Sequence, residues 1–161
     1  MGDDAALLVN ALRPRITRRR RGDYELRLPP EERAALRSLP AQLRALLEVG
    51  DDPSLRRLFP TAYPDDPLRE EEYRALVRSE LTDKRLVSLD TMQRTVDATH
   101  LSEEEVLAWL GALNDLRLVL GTRLDVTEDM EEVPDDDPAA PAFALYYYLG
   151  WLEEQVVEAL S

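Results

Sequence analysis

The chain has 161 residues, a length that suits one domain and is enough to bury a hydrophobic core. Hydrophobic residues make up 44% of it, which is too large a share for an intrinsically disordered protein. The net charge of −13 opposes general binding to nucleic acid or to anionic membranes, and the lack of cysteine excludes a disulfide, a thiolate nucleophile or a zinc–thiolate site within these residues.

Residues 1–12 are predicted to form an N-terminal extension ahead of the domain. Their apolar run is short, is interrupted by Asn10 and is followed by no small-residue cleavage site, so it lacks the pattern of a secretion signal. No apolar run in the chain approaches the length of a membrane span. We therefore expect a cytoplasmic protein with no membrane partner.

A β-hairpin is predicted over residues 15–28. Tyr24, Leu26 and Leu28 alternate with charged residues, as expected for a strand with one buried face. The Gly-Asp pair at 22–23 supplies the turn.

Helices are predicted to follow the hairpin. Leucines at helical spacing indicate a helix over 30–49, in which Pro40 should cause a kink or a break. A loop over 50–67, rich in Gly, Asp and Pro, separates it from two further predicted helices at 68–82 and 84–98.

The clearest local signal is the start of the helix predicted over 103–124. Ser102 and Glu105 have the spacing of a capping box, in which each side chain accepts a hydrogen bond from the other residue's backbone N–H. Leu101 and Val106 stand at the two positions of a hydrophobic staple, so we expect them to pack together.

An acidic linker is predicted over 125–140, before a last helix at 141–160. Eight carboxylates lie between positions 125 and 137, but they lack the residue order of an EF-hand loop, so we expect a mobile, solvated segment without a specific metal. Together the elements predict a mostly α fold with a small N-terminal β-hairpin (α+β), arranged as a single helical domain over 13–161.

The chain carries no recognisable catalytic motif. Its glycines are isolated, so they cannot build a phosphate-binding loop. Asp97 and His100 have the D-x-x-H spacing of one metal-ligand pair, but a di-metal carboxylate site needs a second pair and His100 is the only histidine. We predict no catalytic residue, no cofactor and no metal, and interpret His100 as a surface residue near a helix start.

A cluster of arginines stands at the beginning of the domain. A basic β-ribbon could lie on DNA, or the arginines could be solvated or paired within the protein. No aromatic residue is interleaved among them to stack on bases, and the rest of the chain is acidic, which favours the second interpretation. The cluster consists of Arg13, Arg15, Arg18, Arg19, Arg20 and Arg21.

Two polar residues lie close to the apolar face of the helix predicted over 103–124. On a helical projection Arg117 falls inside the apolar arc and Asn114 on its shoulder. An unpaired buried cation is very costly, so Arg117 should be largely buried and bonded to a carboxylate or to loop carbonyls. Asp65 and Asp66 are the partners that we expect for it.

The last predicted helix is apolar on every side over its first three turns, in the stretch FALYYYLGWL at 143–152. A helix of this kind is usually buried all round, which favours a position through the centre of the fold. Alternatively Tyr147 and Trp151, which lie nearly opposite its main apolar face, form an exposed aromatic patch for a partner. Both interpretations stay open at this point.

Several of these stretches, in this order, resemble one actinobacterial family. The stretches are LFPTAYPDDP at 58–67, WLGALNDLRLVLGTRL at 109–124, DDDPAAPA at 135–142 and YYYLGWLEEQVVEAL at 146–160. The family was first described as a domain of unknown function and is now called the AosR-like oxidative stress transcriptional regulators. The likeness extends over nearly the whole chain and implies regulation, not catalysis.

The same resemblance bears on partners and on signalling. Genes of this family often neighbour the gene of the Clp protease adaptor ClpS, which points to protein partners. Regulators of this kind are tied to the redox response through cysteines. This chain has none, so a disulfide switch is not carried over to it.

Two classes of function follow. In the first the chain is a non-enzymatic regulator of transcription or stress response that binds a protein partner, a component of transcription or of proteolysis, with a Clp-associated adaptor as a variant. In the second it is a hydrolase-like enzyme with a carboxylate-based site. We favour the first, with no tight DNA binding by the protein alone; a homodimer is compatible with it. Exposed aromatics on an open surface would support it, whereas a deep pocket gathering acids with Asn114 and Arg117 would support the enzyme.

Overall fold

The computed structural model describes residues 13–161, so the predicted N-terminal extension lies outside the described residues. The fold is mostly helical with a small antiparallel sheet near the N-terminus, which confirms the predicted fold class. In chain order the elements are β1 (Ile16–Arg18), β2 (Tyr24–Leu26), α1 (Pro30–Arg37), α2 (Leu39–Val49), a 3-10 turn (Pro53–Leu55), α3 (Pro67–Thr95), β3 (His100–Leu101), α4 (Glu103–Arg123) and α5 (Ala140–Leu160).

The hairpin forms as predicted, and a third strand extends it. Strand β1 pairs with β2 so that Ile16 lies opposite Leu26, and Gly22 closes the turn with a φ of 89°, a conformation that favours glycine. Strand β3 then pairs with the other edge of β2, with Tyr24 opposite Leu101. It was not predicted, because a strand of two residues is too short to show an alternating pattern.

The predicted helix over 30–49 breaks next to Pro40, as expected, with the interruption at Ser38. Helix α1 ends at Arg37, α2 begins at Leu39, and Pro40 therefore stands in the first turn of α2. In that turn the missing N–H of a proline costs no helical hydrogen bond. The Pro40 ring is buried.

One continuous helix, α3, replaces the two helices predicted over 68–82 and 84–98. It runs for 29 residues, because the junction Thr82-Asp83-Lys84 contains neither Gly nor Pro to end it. Its C-terminal half carries the buried residues Leu89 and Met92, whereas Leu68 and Leu76 in its N-terminal half are each 76% exposed. The apolar pattern had suggested two helices because only the second half faces the core.

Helix α4 is the centre of the fold, and its start confirms the predicted capping box. The Ser102 Oγ accepts from the Glu105 backbone N–H, while the Glu105 carboxylate accepts from the Ser102 N–H. Leu101 and Val106 are both fully buried in the core cluster, as a staple requires. Deeper in the helix, the buried Trp109 indole donates to the Thr95 hydroxyl on α3 over 2.7 Å.

Helix α5 packs along α4 and closes the domain against the hairpin. Its main buried face is formed by Leu149, Leu152 and Val156, while Phe143 in its first turn is buried on another side of the helix. Residues 125–139 between the two helices form neither helix nor strand and are mostly exposed. No helix within residues 13–161 is both long enough and apolar enough to cross a lipid bilayer.

Candidate protein-binding groove on helix α5

Arg117 links α4 to α5, which answers why an apolar helix carries a guanidinium at this position. Its Nε donates to the Glu153 carboxylate over 2.8 Å, and its Nη2 donates to the Asn114 side-chain oxygen over 3.2 Å. The predicted carboxylate partner is therefore present. The Arg117 side chain is 32% exposed, so it is half-buried and not largely buried as expected.

The predicted partners of Arg117, Asp65 and Asp66, were wrong. Asp66 caps α3 by accepting from the Arg69 N–H over 3.2 Å, and both aspartates are exposed. The 50–67 loop is instead linked to Asp115 of α4 through Arg85, and to Arg123 of α4 through Asp52. Two positions along a helix differ by about 200° in direction, so Arg117 faces the other way, toward α5.

Asp115 forms another ion pair of α4, and its carboxylate is nearly closed to solvent. Its carboxylate accepts from Arg85 of α3 over 2.9 Å, and the same guanidinium donates to the Leu58 carbonyl of the loop over 2.8 Å. Burial raises the pKa of Asp115 to about 6, against the lowering effect of Arg85. This pair holds the loop and two helices together.

An open groove runs along the side of α5 that faces away from the core. Its volume is about 760 Å³. It brings together Arg117, Tyr147 and Trp151, three of the residues singled out from the sequence, whereas Asn114 lies behind Arg117, and Asp65 and Asp66 lie elsewhere. We call it the α5 groove, and its lining is Arg117, Tyr146, Tyr147, Gly150, Trp151, Glu153, Glu154, Val157 and Glu158.

The exposure of the side chains along the groove distinguishes between the two interpretations of the last helix. Tyr147 is 57% exposed. Its ring packs against the Tyr146 ring in a T-shaped arrangement, with 5.5 Å between the two ring centroids. Val157, further along the same side, is 47% exposed. Helix α5 therefore does not run through the centre of the fold, as the all-round apolar pattern had favoured; it buries one face and presents aromatic and aliphatic side chains on the other.

Trp151 is held more firmly than Tyr147. The Arg15 guanidinium of the hairpin lies 5.1 Å from its ring centre, and the Tyr148 ring lies 6.0 Å away. Arg15 also makes a two-pronged ion pair with Glu32 of α1. The Tyr148 hydroxyl donates to the same carboxylate over 2.7 Å, and burial together with this bond raises the pKa of Tyr148. Trp151 thus lines the groove with a ring that Arg15 and Tyr148 hold in place.

Gly121 allows the aromatic side of the groove to approach α4. A Cβ placed on Gly121 would lie 2.9 Å from the Tyr146 Cε2, closer than real side-chain contacts. The absence of a side chain at Gly121 therefore leaves room for the Tyr146 ring. Gly150, within the groove, has an ordinary 3.5 Å spacing to the Arg117 Cδ.

The arginine cluster divides between paired and solvated side chains. Arg15 is buried in the pair with Glu32, and Arg19 lies 3.6 Å from Asp23 across the hairpin turn. The Arg18 guanidinium lies 6.0 Å from the centre of the Tyr24 ring. The side chains of 20–21 at the turn are exposed. This arrangement agrees with the interpretation of solvated or internally paired arginines.

The positions of His100 and of the acidic side chains bear on metal binding. Within the part of the chain that the structure describes, no three His, Asp or Glu side chains come together in a way that could hold a metal ion. His100 is exposed beside the sheet, and Asp97 pairs with Arg37 of α1 over 2.5 Å, so the D-x-x-H pair does not converge. Glu153, which the sequence analysis missed, is the acid that pairs with Arg117, and no pattern within either helix identifies it in advance.

Comparison with known proteins gives a family and named relatives. The family model described as "Domain of unknown function (DUF2017)" matches residues 13–160. The oxidative stress regulators AosR of Mycobacterium bovis and Mycobacterium tuberculosis are each 35% identical over 127 residues, which is 68% of this chain and 58% of theirs. The putative oxidative stress regulator AosR of Mycobacterium leprae is 35% identical over 68% of this chain and 59% of its own. The chain thus spans less than two thirds of the length of these relatives, and no solved structure matches it.

Proposed function

This chain belongs to the DUF2017 family, and we propose that within it the chain is a non-enzymatic regulatory protein that acts by binding another protein through the α5 groove. The observation that carries the proposal is the exposed aromatic side of a core helix. Tyr147 and Val157 stay in solvent although α5 buries its opposite face. Apolar and aromatic groups that stay exposed together on a folded domain are typical of partner-binding surfaces.

The relatives support the regulatory half of the proposal. They are named oxidative stress regulators, and the match covers 68% of this chain. We extend that description to this protein as a regulator of transcription or of a stress response. Its mode of action would be contact with a component of transcription or of proteolysis, because the groove is an open surface and not an enclosed pocket for a small substrate.

Tight DNA binding by the protein alone is not part of the proposed function. The net charge of −13 opposes approach to a polyanion. Arg15, a member of the arginine cluster, is occupied by Glu32 and Trp151 and is not available to a DNA backbone. The few exposed arginines of the hairpin would give only weak and salt-sensitive binding. A gel shift with purified protein on a defined sequence that survives physiological salt would contradict this part.

The function is tested by partner capture with a matched pair of variants. Tyr147→Ala removes an exposed ring that packs against the neighbouring Tyr146 ring, so the fold should be retained. Leu76→Ala removes an exposed apolar side chain on α3, away from the groove. The tagged wild-type protein should capture a defined protein from native lysate, Leu76→Ala should capture it equally well, and Tyr147→Ala should lose most of it.

Circular dichroism and thermal unfolding should show that both variants are folded. A partner retained equally by Tyr147→Ala and by the wild type would contradict the groove as the binding surface. Turnover of an ester, peptide or phosphoester substrate by the wild type, lost on removal of Glu153, would contradict the non-enzymatic function.

A further inference from the structure

The carboxylates of the α5 groove differ in whether they are paired. Glu153 is neutralised by Arg117. Glu154 and Glu158 are exposed on the same helix, one turn apart, and neither forms an ion pair with any residue in the described range 13–161. Like charges four residues apart on a helix destabilise it by repulsion.

The position of these two glutamates in α5 increases the free-energy cost of their negative charges. They lie in the last two turns of α5, where the helix dipole is negative and where cations are favoured. The last turn of α5 contains no basic residue to compensate them. The free protein therefore presents a concentrated negative charge at the end of α5. A cationic side chain of a binding partner would reduce the repulsion between the two glutamates.

The aromatic part of the groove suits the same kind of ligand. Trp151 already holds one guanidinium, that of Arg15, at 5.1 Å from its ring centre. Tyr147 presents a ring with more than half of its surface in solvent, and aromatic faces attract Arg and Lys cations. The aliphatic stems of Arg and Lys, together with a partner leucine or valine, would cover Val157 and the Tyr147 ring.

The spacing of the groove indicates a helix as its occupant. Tyr147, Trp151, Glu154 and Glu158 recur at steps of four, three and four residues, which places them in one stripe along α5. The lining from residue 146 to residue 158 spans about 18 Å, the length of roughly three helical turns. A second helix lying alongside α5 would meet every member of this stripe.

We infer that the α5 groove binds a basic amphipathic helix of a partner protein, whose arginines or lysines contact Glu154 and Glu158 and whose apolar side chains cover Tyr147 and Val157. This inference rests on the proposed function and adds the chemistry of the partner. A second copy of this chain suits the site less well, because it would bring its own unpaired glutamates to the contact. Nucleic acid is repelled by the same charges.

The experiment uses the full chain and a labelled three-turn helical peptide with leucines on one stripe and arginines beside it. A matched peptide carries glutamates in place of the arginines. Fluorescence anisotropy should show saturable binding of the basic peptide only, weakening as salt is raised because exposed charges contribute to the contact. The environment of Trp151 should report binding too, since Trp109 is buried in the core.

Charge-reversal variants of equal net charge locate the site. In Glu154→Lys/Glu158→Lys the affinity for the basic peptide should fall by at least about tenfold. In Glu72→Lys/Glu80→Lys, which changes two exposed glutamates on α3, the affinity should change far less. Equal loss in both variants would show a nonspecific charge effect and overturn the inference. Self-association of the free protein that Tyr147→Ala abolishes would place a second copy in the groove and also overturn it.

Failure of this inference is distinguishable from failure of the proposed function. If the basic peptide does not bind while Tyr147→Ala still loses a captured protein, the groove binds a partner of other chemistry and only the inference is wrong. If neither the peptide nor any captured protein depends on the groove, both are wrong.

Discussion

The guanidinium of Arg117 on α4 lies 2.8 Å from the carboxylate of Glu153 on α5, and this pair is the one direct ionic link between the two helices among the described residues. Both side chains are partly shielded, with 32% and 18% of their surfaces exposed. The pair therefore holds the helix that forms the groove against the helix at the centre of the fold.

We expect Arg117→Ala to lower the free energy of unfolding by about 1–2 kcal/mol, because it leaves Glu153 partly buried without its cation and partial exposure limits the cost. Glu153→Gln should cost less, since its amide oxygen can still accept from the Arg117 Nε. Urea denaturation of the two variants measures the difference. A larger loss in Glu153→Gln than in Arg117→Ala would argue against this account.

The Ser102 cap provides a second prediction. Ser102→Ala removes the acceptor for the Glu105 N–H and should destabilise the protein by about 1 kcal/mol. Ser79→Ala is the matched control, because Ser79 is an exposed residue within α3 and alanine favours a helix interior. If the two substitutions have the same effect on thermal unfolding, Ser102 does not act as a cap.

Gly121 and Gly111 offer a comparison within one helix. Gly121→Ala places a methyl group 2.9 Å from the Tyr146 ring, so it should cost about 1–3 kcal/mol and displace that ring. Gly111→Ala meets only the Ser88 hydroxyl at 3.5 Å, so the gain in helix propensity should make it neutral or stabilising by up to about 1 kcal/mol. Chemical denaturation of both variants checks the prediction, and a stabilising Gly121→Ala would contradict the close approach.

The buried carboxyl of Asp115 predicts a particular pH dependence. Its pKa in the folded protein, about 6, lies above the ordinary value of 3.8, so the folded state holds this proton more tightly than the unfolded chain. The stabilisation is present below about pH 4 and is lost as the pH rises through 6. Asp115→Asn removes this titration while it keeps an acceptor for Arg85.

The free energy of unfolding of Asp115→Asn, taken relative to the wild type, should therefore increase between pH 4 and pH 7, by at most about 3 kcal/mol. Equilibrium denaturation of both proteins across this range gives the difference, in which the titration of the other carboxylates cancels. Asp115→Ala should be less stable than Asp115→Asn at every pH, because it leaves Arg85 without an acceptor on α4. A difference that does not change with pH would contradict the raised pKa.

The features that sequence analysis predicted correctly depend on neighbours in the chain. The turn at Gly22, the break at Pro40 and the cap at Ser102 are all local, so a few residues are enough to specify them. The length of α3 was misjudged because the apolar pattern reports burial. Most residues in the N-terminal half of that helix are exposed, so its apolar pattern could not show that the helix continues into the second half.

The errors at the candidate site arose from packing between distant segments. The need of Arg117 for a carboxylate followed from its place on the helix, but the choice of Glu153 depends on which side of α4 receives α5. The exposure of Tyr147 depends on the same choice. Neither can be obtained from the periodicity of one helix, because periodicity gives relative directions around an axis and no neighbour.

The joining of the hairpin to α5 has a consequence for synthesis on the ribosome. The Arg15 N–H donates to the Gln155 side chain, a residue 140 positions later, and the Arg15 guanidinium also covers Trp151. The hairpin therefore emerges long before the helix that completes its packing is translated. At about 5–20 residues per second the delay is on the order of ten seconds. During that time the apolar face of the nascent hairpin lacks the cover that α5 gives it in the folded protein.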